Sequence, residues 1–149
     1  MPVGEICNRD VIIAKRDVTV LEAAKLMRQH HVGGIVIIEE NNGVRTPVGI
    51  VTDRDLVVEI IAPELDYRVI TVGDIMGSEL VTVKENMGVF EAIQYMRAKG
   101  VRRLPVVDMN DGLVGILTLD DLLDLLSDEI FSLAKLVTHE QKKEALSRR

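Results

Sequence analysis

Thr52-x-x-Asp55 and Thr118-x-x-Asp121 are the residues of this chain best suited to chemistry. They stand in two near-copies, GIVTDRDL at 49–56 and GILTLDDL at 115–122. The pattern has two readings. As a helix start, the Thr hydroxyl accepts a backbone N–H and the acid three residues on accepts one in return. As a ligand edge, the N–H groups and partial positive charge of a helix start suit a phosphate. A carboxylate there can accept hydrogen bonds from both hydroxyls of a ribose. The readings are compatible, because a cap can also present a ligand face.

A phosphate also needs cations. Arg102 and Arg103 precede a strand of the second copy and could meet it bidentately. The first copy has Gly33 and Gly34 at the matching places, which removes two charges and leaves room for close backbone approach. Arg54, beside Asp55, is placed to compensate in part. Each arginine also reads as an ordinary solvated residue at an element start. His30 and His31 end a helix, where cations suit the dipole; His31 has a second reading as a phosphate contact. Cys7 reads as a small buried apolar residue, since Met76 takes its place in the second copy.

Other chemistries find little support. There is no nucleophile-and-base set, no P-loop and no cluster with metal-ligand spacing, so no catalytic or metal residue is assigned. The acids Asp120, Asp121 and Asp124 suit a helix start.

The elements that position these residues are written twice. Residues 3–32 align with 72–101, matching Lys15 with Lys84, Val20 with Val89, Glu22 with Glu91, Met27 with Met96 and Arg28 with Arg97. After a longer Gly/Asn-rich turn in the first copy, Gly49-Ile50 align with Gly115-Ile116. Length changes are tolerated in such turns. Each copy reads as strand, helix, strand, strand, helix. The strands are expected near Val11–Ala14, Ile35–Ile38 and Val48–Thr52, then near Leu80–Val83, Leu104–Val107 and Leu113–Thr118. The long helices fall near Thr19–His30 and Gly88–Lys99, the short ones near Asp53–Ile61 and Leu119–Leu126. Val20, Ala24 and Met27 share a face, as do Val89, Ile93 and Met96. The first strand of each unit has no immediate partner. One copy of about 60 residues would be marginal alone, so two must pack together about a pseudo-twofold axis. Ile130, Leu133, Ala134 and Val137 form an apolar stripe in the tail. It is expected either to pack on its own module and fray, or to make a dimer contact.

The bulk numbers agree with a packed aliphatic protein. Of 149 residues, 47% are hydrophobic but only 3% aromatic, and charged residues at 28% argue against disorder. A net charge of −6 without a basic stripe disfavours nucleic acid. No apolar run suggests a membrane span, and the N-terminus MPVGEICNRD shows no signal pattern. A lone cysteine fits a reducing cytoplasm.

VGDIM, a Glu-Ala helix, RRLPVVD and GILTLDDL, in that order and largely repeated upstream, resemble the cystathionine-β-synthase-type (CBS) domain. Two in tandem look like the CBS pair called a Bateman module. The resemblance covers about residues 3–126. It implies an α/β (α+β) fold of two β-α-β-β-α repeats, 3–62 and 72–126, with a linker at 63–71 and a helical tail at 127–149. It implies a cleft on each side of the pseudo-twofold axis and an adenine-containing ligand: AMP, ADP, ATP, S-adenosylmethionine or NAD. No cofactor is required. One site would join Thr118 and Asp121 to the backbone around Ile12 and to Gly33-Gly34; the other would join Thr52 and Asp55 to the backbone around Val81. Arg102 and Arg103 would lie between them. The adenine would meet aliphatic walls, and the two sites should differ in affinity. Asp53 and Asp120 lean the choice toward a monophosphate or adenosine-type ligand. The expected role is a cytoplasmic homodimeric sensor for a separate, unidentified partner. The alternative is a ligand-free dimerisation scaffold.

Overall fold

The computed structural model describes residues 1–148. They fall into two compact units, residues 1–117 and the segment from Thr118 onward. The first unit contains β1 (Ile13–Ala14), α1 (Val20–His30), β2 (Gly34–Asn41) and β3 (Val44–Thr52). Next come α2 (Asp53–Leu56), which runs on as a π-helical turn (Val57–Ile61), and α3 (Val72–Ile75). The second repeat follows as β4 (Val83–Lys84), α4 (Val89–Lys99), β5 (Arg103–Val107) and β6 (Leu113–Thr118). The other unit is one helix, α5 (Leu119–Ser147).

Each repeat builds a three-stranded sheet, ordered β1-β2-β3 and β4-β5-β6. The first strand does find a partner: Ile13 pairs in parallel with Val36, and Val83 with Val106. The intervening helix supplies the crossover that a parallel pair needs. β2 and β3 form a hairpin through Asn42 and Gly43, both at positive φ (52° and 79°), as a tight two-residue turn requires. A bulge between Ile37 and Ile38 accommodates Pro47 of β3. The second hairpin turns differently. Asp108 Oδ1 accepts from the amides of Asn110 (2.8 Å) and Gly112 (2.9 Å). Asp111 sits at φ 61° in that turn, and the Lys84 ammonium pairs with its carboxylate.

α1 starts on Thr19, whose hydroxyl accepts from the Glu22 amide at 3.2 Å, and stops on His31 in the left-handed region. α4 starts on Gly88 without a side-chain cap and stops on Gly100 at φ 66°. Both helices bury the first, fourth and eighth positions: Val20, Ala23 and Met27, then Val89, Ala92 and Met96. The middle of each buried face is thus Ala23 or Ala92, one residue before the expected Ala24 or Ile93, which are half-buried. The core is aliphatic, with Ile35, Ile37, Val51, Leu104, Val106 and Leu117 essentially inaccessible.

Each repeat begins with a short turn that lies on the other repeat. The 3-10 turn Val3–Glu5 is bound to the second repeat: Val3 N–H donates to Met87 O (2.8 Å) and Gly4 N–H to Glu85 O (2.9 Å). Asn8 and Ile116 exchange both backbone bonds, at 2.9 and 2.8 Å. Reciprocally, α3 is bound to the first repeat, with Val72 N–H on Val18 O (2.8 Å) and Gly73 N–H on Arg16 O (3.0 Å). Val72 is fully buried in the first repeat's core. The approach is close enough to require glycine. A β-carbon on Gly4 would stand 3.0 Å from Glu85 O, and one on Gly73 would stand 2.8 Å from Arg16 O.

The tail corrects the sequence reading. The short helix near Leu119–Leu126 and the tail helix are one continuous helix, since no Gly or Pro lies between Leu119 and Ser147. Every described residue from Ser127 to Arg148 is exposed, so the apolar stripe is not buried.

Gly73→Ala and Gly4→Ala are each expected to lower unfolding free energy by about 1–3 kcal/mol through the forced backbone shift. Gly77→Ala, where a β-carbon meets open space, should stay within about 0.5 kcal/mol. Urea unfolding of the three variants measures the difference.

Candidate ligand cleft

Three Thr-x-x-Asp sequences cap helices in this chain, and they differ in what else they do. At Thr52 the cap is reciprocal: the Asp55 amide donates to Thr52 Oγ1 (3.2 Å), and the Thr52 amide donates to Asp55 Oδ2 (2.8 Å). Thr71 and Asp74 make the same box at the start of α3, at 3.3 and 3.0 Å. Thr118 accepts from the Asp121 amide (3.1 Å), but no return bond to the Asp121 carboxylate occurs among the described residues. The capping reading of the motif therefore holds as local geometry at all three.

The first box lies on a cavity that gathers residues from both repeats. This cavity, of about 510 Å³, is in the size range of small-molecule sites. Thr52 and Asp55 line it from the first repeat; Arg102, Arg103 and Val81 line it from the second. Its apolar walls are Ile50, Ile75, Leu80, Val81 and Val101, and no aromatic lines it. Gly49 belongs to the same wall because Met76 packs against it, with Sδ 2.6 Å from where a β-carbon would stand. The second repeat mirrors this packing: Cys7 Sγ lies 2.7 Å from the would-be β-carbon of Gly115. Cys7 is half-buried rather than fully buried.

The loss of symmetry at Gly33-Gly34 has a physical cause. Arg103 reaches across from the second repeat and lies over both glycines. A β-carbon at Gly33 would stand 3.1 Å from Nη2 of Arg103 and 3.3 Å from Oδ2 of Asp53; one at Gly34 would stand 3.4 Å from Cδ and Nε of Arg103. The Gly33 carbonyl meanwhile accepts the Asp53 amide at 3.0 Å, tying the start of β2 to the start of α2. The two missing side chains are the space this arginine occupies.

The remaining expected residues are not part of this lining. Arg54 is exposed and is not part of the cavity lining; its amide donates to its neighbour Asp53. The Ile12 carbonyl accepts the Val36 amide (3.0 Å), and its side chain packs on the first repeat's core. Thr118 and Asp121 open α5. Of the lining residues outside the expected set, two are charged, Glu59 and Glu79. Glu59 follows Asp55 by four positions but stands in the π-helical turn after α2, so that spacing is only a weak signal for it. Glu79 precedes Val81 in a stretch without periodicity. The lining thus sets three carboxylates, Asp55, Glu59 and Glu79, against two arginines.

Asp74 serves as the reference for a cap outside the cavity. The Thr71 backbone amide, and next the Thr71 side chain, hold its carboxyl below the ordinary value of 3.8. A depressed folded pKa contributes stability that is present above about pH 4 and lost as pH falls through the lowered folded value. Asp66, held down first by the Arg68 backbone amide, behaves likewise. Stability is expected to fall with acid below about pH 4, and Asp74→Ala should flatten part of that slope. Urea unfolding at stepped pH measures it; an unchanged slope would contradict the assignment.

Comparison with known proteins follows the same lines. The CBS domain family model matches residues 3–62 and again 72–128. An uncharacterized protein of Methanopyrus kandleri is 42% identical over 123 residues, covering 83% of this chain and 61% of that protein, so this chain spans less than two thirds of that relative. A CBS domain pair solved in complex with 5′-methylthioadenosine and S-adenosyl-L-methionine superposes with a TM-score of 0.73 at 27% identity, covering 85% of this chain and 99% of that one. The protein CBSX2, solved in complex with AMP, superposes at 0.71 with 26% identity, covering 85% and 96%. With the repeat matched twice along the sequence and the fold matched over most of its length, this chain belongs to the CBS domain family.

Proposed function

We propose that the chain is a regulatory module that binds an adenine-containing ligand in the cavity beside Thr52 and passes its occupancy to a separate protein. The observation that carries this reading is the gathering of Thr52, Asp55, Val81, Arg102 and Arg103, from two repeats, around one cavity of about 510 Å³. The adenine lies against Ile50, Ile75, Leu80 and Val101. The ribose hydroxyls donate to the Asp55 carboxylate, which has acceptor sites beyond the Oδ2 bond to Thr52. A phosphate lies against Arg102 and Arg103, whose planar guanidinium groups suit it. Two similar folds bind such ligands, AMP in one and S-adenosyl-L-methionine with 5′-methylthioadenosine in the other, which supports the ligand class.

The charge of the lining narrows the choice. Three carboxylates against two arginines disfavour a polyanion, so AMP or an adenosine carrying no phosphate fits better than ATP. The module's output is a change in the surface that the two repeats share, where Arg103 crosses onto Gly33 and Gly34. In this reading the chain itself performs no catalysis.

A thermal-shift panel of AMP, ADP, ATP, NAD, S-adenosylmethionine and 5′-methylthioadenosine tests the proposal. A true ligand at 100 times its Kd adds about 2.7 kcal/mol, or roughly 5–10 °C in a domain of this size. Asp55→Ala should abolish the shift, whereas Asp74→Ala, which removes an equivalent cap off the cavity, should keep it. No shift with any of the six ligands would overturn the reading in favour of a ligand-free scaffold.

The two unforeseen carboxylates give a second expectation. Glu59→Gln with Glu79→Gln should improve ATP affinity more than AMP affinity, by about tenfold relative to it, as like-charge repulsion on the extra phosphates is removed. Isothermal titration with both nucleotides measures this; equal gains would mean that neither carboxylate faces the phosphates.

A further inference from the structure

Helix α5 spans 29 residues, about 43 Å at the standard rise. Leu119, Leu123, Leu126, Ile130, Leu133 and Val137 follow one another at alternating spacings of four and three, the pattern of a coiled-coil seam. Much of this seam is uncovered: Leu123 is 56% exposed, Ile130 67%, Leu133 63% and Val137 55%. Leu136, beside it, is 58% exposed. A helix whose apolar stripe faces water lacks the tertiary packing that supplies most helical stability in proteins.

Charge along the helix selects the occupant. The N-terminal half carries Asp120, Asp121, Asp124, Asp128 and Glu129 and no base. The C-terminal half carries Lys135, Lys142, Lys143 and Arg148 against Glu140 and Glu144, with Glu144 already paired to Arg148 at 2.7 Å. A parallel pair of such helices would set acid against acid. An antiparallel pair sets the acidic half of each against the basic half of the other. Glu129 and Lys143 lie two heptads apart and flank the same side of the seam, so they face each other in an antiparallel pair centred near Leu136. Close to that centre, Leu133 and Val137 of one helix meet Val137 and Leu133 of the other.

We propose that the α5 seam is an interface between two copies of this chain, with the two helices antiparallel. Opposite charge sets the orientation, and the aliphatic seam supplies the driving force, since exposed ion pairs are individually weak.

Light scattering coupled to gel filtration tests the interface on the full chain. The expected mass is twice 16.6 kDa. Leu133→Glu should raise the dimer dissociation constant by about 30-fold or more, as loss of a central apolar anchor does. Ser132→Glu, on the opposite face, should leave it unchanged. Because Leu133 is exposed, its substitution does not threaten the fold; circular dichroism checks that. Orientation is read by cross-linking in a Cys7→Ser background. Mixed Glu129→Cys and Lys143→Cys chains should form a disulfide-linked heterodimer, while Glu129→Cys alone should not cross-link. A monomer at all concentrations, a dimer indifferent to Leu133→Glu, or efficient cross-linking of Glu129→Cys alone would each overturn the proposal.

Discussion

The reciprocal exchange of leading turns is the constraint on which the rest of the first unit depends. Val3–Glu5 is hydrogen-bonded to the second repeat and Val72–Ile75 to the first, so neither repeat has a complete core without the other. Each exchange demands a glycine at its closest approach, Gly4 on Glu85 and Gly73 on Arg16. Each also packs a sulfur side chain against a second glycine, Cys7 on Gly115 and Met76 on Gly49. Four of the chain's eleven glycines are thereby committed to joining the repeats. The same packing brings Gly49, Ile75 and Gly77 to the cavity wall, so the geometry of the cleft follows from how the repeats are tied.

On that frame the departures from symmetry matter more than the symmetry. Both repeats carry Thr-x-x-Asp at the strand-to-helix junction, yet Asp55 closes a reciprocal box while Asp121 makes no return bond among the described residues. Arg102-Arg103 replaces Gly33-Gly34, and the structure shows these differences to be complementary: Arg103 lies where side chains at 33 and 34 would have been. A duplicated unit has thus diverged so that one copy supplies the cation and the other the room for it. An effector that draws on this arginine would act on both repeats together, which is the kind of differential contact a two-state signal requires.

Much of this was legible in the sequence. Aligning residues 3–32 with 72–101 is enough to read the duplicated strand-helix-strand-strand-helix order, and Thr52, Asp55, Val81, Arg102 and Arg103 do meet at one cavity. Other features carried weaker signals. The leading turns are too short for periodicity, and only the paired glycines at 4 and 73 hinted at a close approach. Glu59 sits where the helix after Asp55 passes into a π-helical turn, so 3.6-residue periodicity is a poor guide there. The continuity of α5 was readable from the lack of Gly or Pro, but the boundary expected near Leu126 obscured it. Arg54, adjacent to Asp55 in sequence, is carried away from the cavity because neighbouring helical residues point in different directions.

The central claim is that the Thr52–Asp55 box does two things at once, capping a helix and holding a ribose, while the Thr71–Asp74 box only caps. Amide chemical-shift mapping during an AMP titration tests this most directly. The account predicts saturable shifts at Thr52, Asp55, Val81, Arg102 and Arg103, with Thr71 and Asp74 unmoved. Saturable shifts confined to other residues, or equal shifts at both boxes, would contradict it.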